Sequence, residues 1–516
     1  MNHLLVLPIV LPAFTAALVL VMPRAPMAMA RALSALATLG LVAAALAVLV
    51  QAESGTPLVY QVGNWPAPFG IVLVADRLSA FMLLLTALLA LAVLLYAVQG
   101  WDARGQYFHP LFLFQLMGLN GAFLAGDLFN LFVFFEILLI ASYCLALQGL
   151  ILERLRATLH YAAINIAASS VFLIAVSLLY GVTGTLNMAH LAERVAQVRT
   201  EDVALVRVAG LLLLAVFSIK AALFPLYFWL PAVYSNAPGP VAALFSIMTK
   251  VGVYAIIRIT TLVYGAEAGA VMELTSPWLL PCALITLALG ALGAFGAGRL
   301  ATLTAYLTIA SVGTILTAVA IGGAAAVSAG LYYLAHSTIV IALLFLVGDL
   351  IGRGRGDMTD QIHPGPQVRR AAALGLAFLF AGATVAGVPP LSGFIGKVMV
   401  LQSAKDAIAI VPIWLVIVMT SLLMLVGCAR AGSIVLWNVT EPIPVEPLHV
   451  PRAGEWAAVA ALASCSLLLV LFAAPIKQYT DETAAQLLSP ASYIDAVLGD
   501  QQREGLVRAH RAGGLR

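Results

Sequence analysis

Phe217-Ser-Ile-Lys220-Ala-Ala-Leu-Phe-Pro225-Leu-Tyr-Phe-Trp229-Leu-Pro231 decides the fold class of this chain. It sits in an apolar stretch, 206–234, long enough to cross a bilayer core of roughly 30 Å as a helix. Yet it carries a lysine and two prolines. An ionisable group at bilayer depth costs about 2.5–3.5 kcal/mol on insertion scales. Proline removes a backbone donor and clashes with the preceding turn. In lipid the freed carbonyls must be satisfied by protein or water. A helix broken beside a buried lysine therefore implies a protein-lined or hydrated interior.

The same anomaly recurs. Glu136 lies in the apolar run 128–147, Lys250 in 241–257, and Lys397 after the Pro389-Pro390 break in 371–403. The 516 residues are 63% hydrophobic and only 9% charged, with a mean hydropathy of +1.04. That composition excludes a soluble globular domain and indicates an all-α polytopic membrane protein. The net charge of +3 argues against a nucleic-acid partner. Cys144, Cys282, Cys428 and Cys465 stand singly in apolar runs, so no disulfide framework, metal site or cluster-bound cofactor is expected. The apolar start lacks a basic n-region and reads as a first span rather than a signal peptide.

About fourteen spans are predicted, near 4–22, 33–50, 78–98, 110–126, 128–149, 161–181, 206–234, 239–262, 279–296, 300–320, 326–350, 371–403, 411–436 and 455–474. Segment 188–206 reads as an amphipathic interfacial helix. The tail 475–516 reads as polar and partly disordered or partner-bound. Loops after odd-numbered spans are richer in basic residues (Arg24, Arg31, Arg104, Arg154, Arg299 and Arg353 among them). The positive-inside rule then puts both termini outside the cytoplasm.

Two five-span blocks repeat in order. Glu136-Ile-Leu-Leu-Ile-Ala-Ser142 matches Ala305-Tyr-Leu-Thr-Ile-Ala-Ser311, which sets Glu136 against Ala305. Phe224-Pro225-Leu226 matches Pro389-Pro390-Leu391, and Ile247-Met248-Thr249 matches Val418-Met419-Thr420. An odd offset inverts the second block, and inverted repeats with a broken helix in each half mark transporters. The domains expected are 1–105 (spans 1–3), 106–262 (first repeat), 279–436 (second repeat) and 437–516 (last span and tail).

The broken stretch, followed by Ala237-Pro-Gly-Pro240-Val-Ala-Ala, resembles the proton-conducting antiporter-like subunits. These are shared by respiratory complex I and the Mrp (Pha, Sha) multisubunit cation/proton antiporters. Gly387-Val-Pro-Pro-Leu-Ser-Gly-Phe-Ile-Gly396-Lys397 is similar to the second broken helix of that family. The N-terminal Met1-Asn-His-Leu-Leu-Val-Leu-Pro-Ile-Val-Leu-Pro12 looks like the D-type subunit of the Mrp/Pha antiporters. The resemblance covers spans 3–13. It implies a fourteen-helix fold, sibling antiporter subunits as partners, protons and monovalent cations as cargo, and a bacterial plasma membrane. It implies a proton pathway of Glu136 paired with Lys220, Lys250 as connector, His336 as relay and Lys397 as terminal group.

The residues support this independently. Burial disfavours a charged ammonium and a nearby carboxylate favours it, so a moving partner charge can load or unload a lysine. Histidine passes protons near neutrality, and Ser218, Thr249, Ser337 and Thr338 are positioned to hold bridging waters. A lysine-rich path repels sodium, which wants oxygen ligands, so a sodium path would involve another subunit or an entrance shared with one. The alternative is the proton-pumping membrane arm of an NADH:quinone oxidoreductase or membrane-bound hydrogenase. No flavin, nicotinamide or cluster motif is present, and Gly352-x-Gly354-x-Gly356 follows no strand, so the chain reads as a transporter component, not an enzyme. Lys397 is placed nearer the membrane edge, where it can snorkel. Arg258 and Arg430 read as interfacial anchors, Asp127 and Asp349 as helix-end residues, and His109, His160 and His363 as loop or interface groups.

Overall fold

A computed structural model describes residues 3–22, 26–65, 67, 69–105, 107–441 and 449–499. Arg24 and the basic tail beyond 499 lie outside the described residues. The chain is mostly helical. In order run α1 (Leu7–Val21), α2 (Met27–Ala52), α3 (Arg77–Ala97), α4 (Phe108–Leu124), α5 (Leu128–Ala146), α6 (Leu152–Thr183), α7 (Met188–Ala196), α8 (Val203–Ala221), α9 (Trp229–Asn236) and α10 (Gly239–Leu244). There follow α11 (Met248–Leu262), α12 (Ser276–Phe295), α13 (Leu300–Ile321), α14 (Gly323–Gly354), α15 (Ala371–Ala386), α16 (Ser392–Ser403), α17 (Ile410–Gly432), α18 (Ala453–Leu471), α19 (Ala473–Leu488) and α20 (Ala491–Leu498).

Among the described residues, 11 helical segments are long and apolar enough to span a bilayer, and Leu7–Val21, Phe108–Leu124 and Ala371–Ala386 are shorter apolar helices. The core sits on α10–α11, α13 and α14, which are buried over most of their length. The all-α expectation needs one amendment. The polar stretch after α2 folds into an antiparallel hairpin, Leu58–Gln61 against Val72–Ala75, whose β-branched residues suit a pleated surface. The tail also differs from expectation: it opens with α19 and α20. Arg77 of α3 pairs with Glu482 at 2.6 Å, and its backbone N–H donates to Gln486.

The two helix breaks are satisfied differently. Pro225 lies between α8 and α9. There the Trp229 indole donates to Ile219 O (3.0 Å), Leu223 N to Ser218 O (2.9 Å), and Phe224 N to the Thr286 hydroxyl of α12 (2.8 Å). Pro389 and Pro390 lie between α15 and α16, where Gly387 adopts φ +88°. There the Lys397 ammonium donates to Val385 O (3.3 Å) and Ala386 O (2.8 Å). At each break, groups from elsewhere in the fold thus take up backbone polar atoms that an apolar medium would leave open.

Two helix pairs approach closely at glycines. Gly118 of α4 lies against Leu138 and Gly121 against Phe134 of α5, with no room for a Cβ. In α12 and α13, Gly290 lies against Ala310 and Gly293 against Tyr306 in the same way. The two pairs share this spacing.

Candidate functional site

The predicted pathway residues come from five helices. Glu136 is on α5, Lys220 in the last turn of α8, Lys250 in the first turn of α11, His336 mid-way along α14, and Lys397 on α16. Lys220, Lys250, His336 and Lys397 are all buried, Lys250 and His336 completely.

Glu136 and Lys220 do not touch, although the sequence pairs them. Helix α6 stands between. Lys220 Nζ donates to Asn165 Oδ1 at 3.1 Å. The Ser169 hydroxyl, one turn further along the same face of α6, donates to Glu136 Oε1. Glu136 remains within electrostatic reach of Lys220. The face of Lys220 toward α11 borders a 20 Å³ cavity lined by Tyr161, Asn165, Trp229, Met248 and Val251. That is room for a single water. Gly252 lets α11 approach the end of α8, since a Cβ there would meet Ala221 N at 2.4 Å.

Lys250 Nζ donates to Ser311 Oγ of α13 at 3.0 Å. His336 Nδ1 lies 2.9 Å from Ser392 Oγ, which lies 3.1 Å from Ser466 Oγ of α18. His336 Nε2 is buried without a protein partner among the described residues, and His336 is within electrostatic reach of both Lys250 and Lys397. Lys397 donates to Ser421 Oγ at 2.9 Å as well as to the two carbonyls of the break. It is 5% exposed, so the snorkelling expectation fails. The open carbonyls ending α15 attract the ammonium inward instead.

Among the described residues, the hydroxyls named from the sequence do not contact the charged groups. Ser337 and Thr338 turn back to Leu334 O of their own helix, and Thr249 Oγ1 is buried without a partner among the described residues. Asn165, Ser169, Ser311, Ser392 and Ser421 hold the chain instead. The i, i+4 pair Asn165 and Ser169 in an apolar span was the available signal.

Arg258 is not an anchor at an interface. It is 3% exposed and grips Asp76, the N-cap of α3, through both carboxylate oxygens at 2.5 and 2.9 Å. Burial alone would raise the Asp76 pKa, but the charge and hydrogen bonds of Arg258 and Ser79 hold it below the usual carboxylate range. His109 is likewise buried, between Ser34 (3.0 Å) and Asp102 (3.2 Å). Asp349 accepts from Tyr96 and Trp101 and pairs with Arg353 at 2.8 Å, a network rather than a bare helix end. Asp127 caps α5 and Arg430 caps carbonyls at the end of α12. His160 lies exposed beside Phe228, and His363 follows α14 in a loop, where its carbonyl accepts from Arg355.

The family model described as NADH:quinone oxidoreductase/Mrp antiporter, TM, matches residues 125–424, the stretch that holds all five pathway residues. The chain belongs to this family. Within it, the chain is 39% identical over 534 aligned residues to the probable D-type subunit of a K(+)/H(+) antiporter of Rhizobium meliloti, covering 96% of this chain and 98% of that one. It is 36% identical over 502 residues to the D-type subunit of the Na(+)/H(+) antiporter of Bacillus subtilis, covering 96% and 100%. A chain in the structure of the Mrp complex from a Dietzia species superposes with a TM-score of 0.86 at 29% identity, covering 97% of this chain and 100% of that one. This member of the antiporter family is therefore a multi-pass membrane protein with the Mrp-type fold.

Proposed function

We propose that this chain is the proton-translocating subunit of a multisubunit monovalent cation (sodium or potassium)/proton antiporter in a bacterial plasma membrane. One observation carries the reading. Three lysines and a histidine sit inside the protein on separate helices, and among the described residues no carboxylate contacts any of them. Burial without a counter-ion disfavours the charged form of an ammonium, so such a group can exchange its proton more readily than one at a surface. Two unit charges 8 Å apart interact by about 2 kcal/mol at an effective dielectric near 20. Sites at that separation would each shift the other's protonation by more than tenfold. Glu136, Lys220, Lys250, His336 and Lys397 form the series, and Pro225, Pro389 and Pro390 open the backbone beside its two ends.

The matching glycine contacts of α4–α5 and α12–α13, with one Pro-broken helix in each half, support inverted repeats over 106–262 and 279–436. These lie within a fourteen-span fold, flanked by 1–105 and 437–516. The basic loops favour both termini outside the cytoplasm. Sibling subunits complete the antiporter, and the cation path lies in them, because a lysine-lined route repels a cation. Full-length identity with antiporter subunits favours this reading over the membrane arm of a redox enzyme.

In inverted vesicles carrying the complete complex, Lys220→Ala should lower cation-dependent proton exchange at least tenfold while the subunits still co-purify. Full exchange by that variant would sink the assignment.

A further inference from the structure

One end of the bundle remains unassigned. A 350 Å³ cavity opens there between the end of α14, the α9–α10 junction and the starts of α6 and α13. Arg104, Arg154, Arg299 and Arg353 line it, against Asp349 and Asp360. Arg353 pairs with Asp349 at 2.8 Å and with Glu455 at 2.7 Å, and Arg299 pairs with Asp360 at 2.9 Å. The other two arginines have no carboxylate within ion-pair distance among the described residues. Arg154 donates to the carbonyls of Asn236, Gln148 and Gly149. Arg104 is exposed and lies 4.0 Å over the Trp101 ring. Arg154 lies within electrostatic reach of Asp349 as well as of Arg104 and Arg299. With Asp349, Asp360 and the Glu455 that pairs with Arg353 set against the four arginines, the cavity keeps an excess of one positive charge.

Arg104 also lines a second space, a 660 Å³ groove between α1, α4 and α5 with Leu20, Pro110, Leu111, Phe114 and Leu147 on its walls. The rim of this groove is Gln148 and Gly149, the residues whose carbonyls Arg154 holds. Arg104 stands just before α4 begins, at the level of helix ends where lipid phosphates lie. Phe114, six residues into α4 from Phe108, is about 9 Å deeper at 1.5 Å per residue. A basic rim over an apolar groove that descends into the membrane has the profile of a lipid, charged at one end only. Basic pockets between spanning helices on the cytoplasmic side bind anionic headgroups, and the Arg-rich loops make this the predicted cytoplasmic end.

We propose that Arg104 and Arg154 hold the phosphate of an anionic phospholipid whose acyl chain fills the groove between α1, α4 and α5. This requires only the membrane location, so it stands or falls apart from the proton pathway. The test is native mass spectrometry of the complete antiporter complex. It is delipidated in mild detergent and titrated with phosphatidylglycerol, phosphatidylcholine or inorganic phosphate. Phosphatidylglycerol should be retained at least tenfold better than phosphatidylcholine, and inorganic phosphate should not displace it. Arg104→Gln, at an exposed position, should lower retention about tenfold, and Leu111→Trp should lower it by filling the groove. Equal retention of the two lipids, or unchanged retention in both variants, would overturn the proposal. Displacement by inorganic phosphate would replace it with a free-anion site. Retention by the isolated chain but not by the complex would replace it with an interface between subunits.

Discussion

Asn165 stands on the helix between the two charged groups of the proposed switch, Glu136 and Lys220. It accepts from Lys220 while Ser169, one turn away, donates to Glu136, so α6 keeps the carboxylate and the ammonium apart yet linked. Asn165→Leu would leave the ammonium with no side-chain acceptor, and a buried polar group left unpaired costs about 1–3 kcal/mol. We expect exchange in vesicles to fall at least tenfold, with Asn165→Asp restoring an acceptor but locking the lysine as an ion pair, and therefore also slow. Normal exchange in Asn165→Leu would show that α6 is only a spacer. Asp127 offers a pH test at the same scale. Burial lifts its carboxyl to about 6, against the pull of the Asn130 and Phe129 N–H groups, whereas an unfolded aspartate titrates at ~3.9. The folded pKa is the higher, so the stability it contributes is complete below about 4 and is lost as pH rises through 6. Asparagine caps a helix as well as aspartate and does not titrate. Melting curves should show wild type losing ground to Asp127→Asn between pH 4 and 6 and no further change above pH 7. Glu136 and the lysines were legible in the sequence because charge in an apolar run is conspicuous. Asn165 and Ser169 were harder to read: their i, i+4 spacing was the one signal, and polar residues in a span ordinarily bond back to their own helix.

At the scale of elements, the breaks depend on groups supplied from other helices. Thr286 of α12 accepts the Phe224 N–H at 2.8 Å, which ties the first break to the first helix of the second half. Thr286→Val preserves shape but leaves that N–H unpaired in an apolar setting, at a cost of about 1–3 kcal/mol. A lowered melting temperature with reduced exchange is expected, and Thr286→Ser should restore both. An unchanged melting temperature in Thr286→Val would mean water already satisfies the N–H. Hydropathy located the spans well, since each must be apolar over its whole length, and the Pro positions located both breaks. The close approach of α4 to α5 and of α12 to α13 was not legible, because which glycines meet a neighbouring helix shows only when the helices are packed. The buried pair Arg258–Asp76 was misread for a related reason. Asp76 lies outside any span, and nothing local says that α11 will carry Arg258 to the cap of α3.

For the molecule as a whole, the question is whether the buried lysines carry protons or only hold helices together. Lys397 separates the two, because it does visible structural work. Its ammonium closes two carbonyls at the end of α15 and reaches Ser421 of α17. If that capping were its whole role, any cation with enough donors would serve. Arginine has five N–H donors and does not deprotonate in proteins. Lys397→Arg should therefore keep the break closed, keep the complex assembled and keep its melting temperature within a few degrees of wild type. It should nevertheless abolish exchange, because a permanent charge at one end of the series can neither release a proton nor relax the repulsion it imposes on His336. Lys397→Gln should do the reverse in part: the capping weakens, the melting temperature falls, and exchange is lost for want of a titrating group. The decisive comparison is vesicle exchange against melting temperature in the two variants. Substantial exchange in Lys397→Arg would reduce this lysine to a helix cap and move the proton exit elsewhere in the assembly.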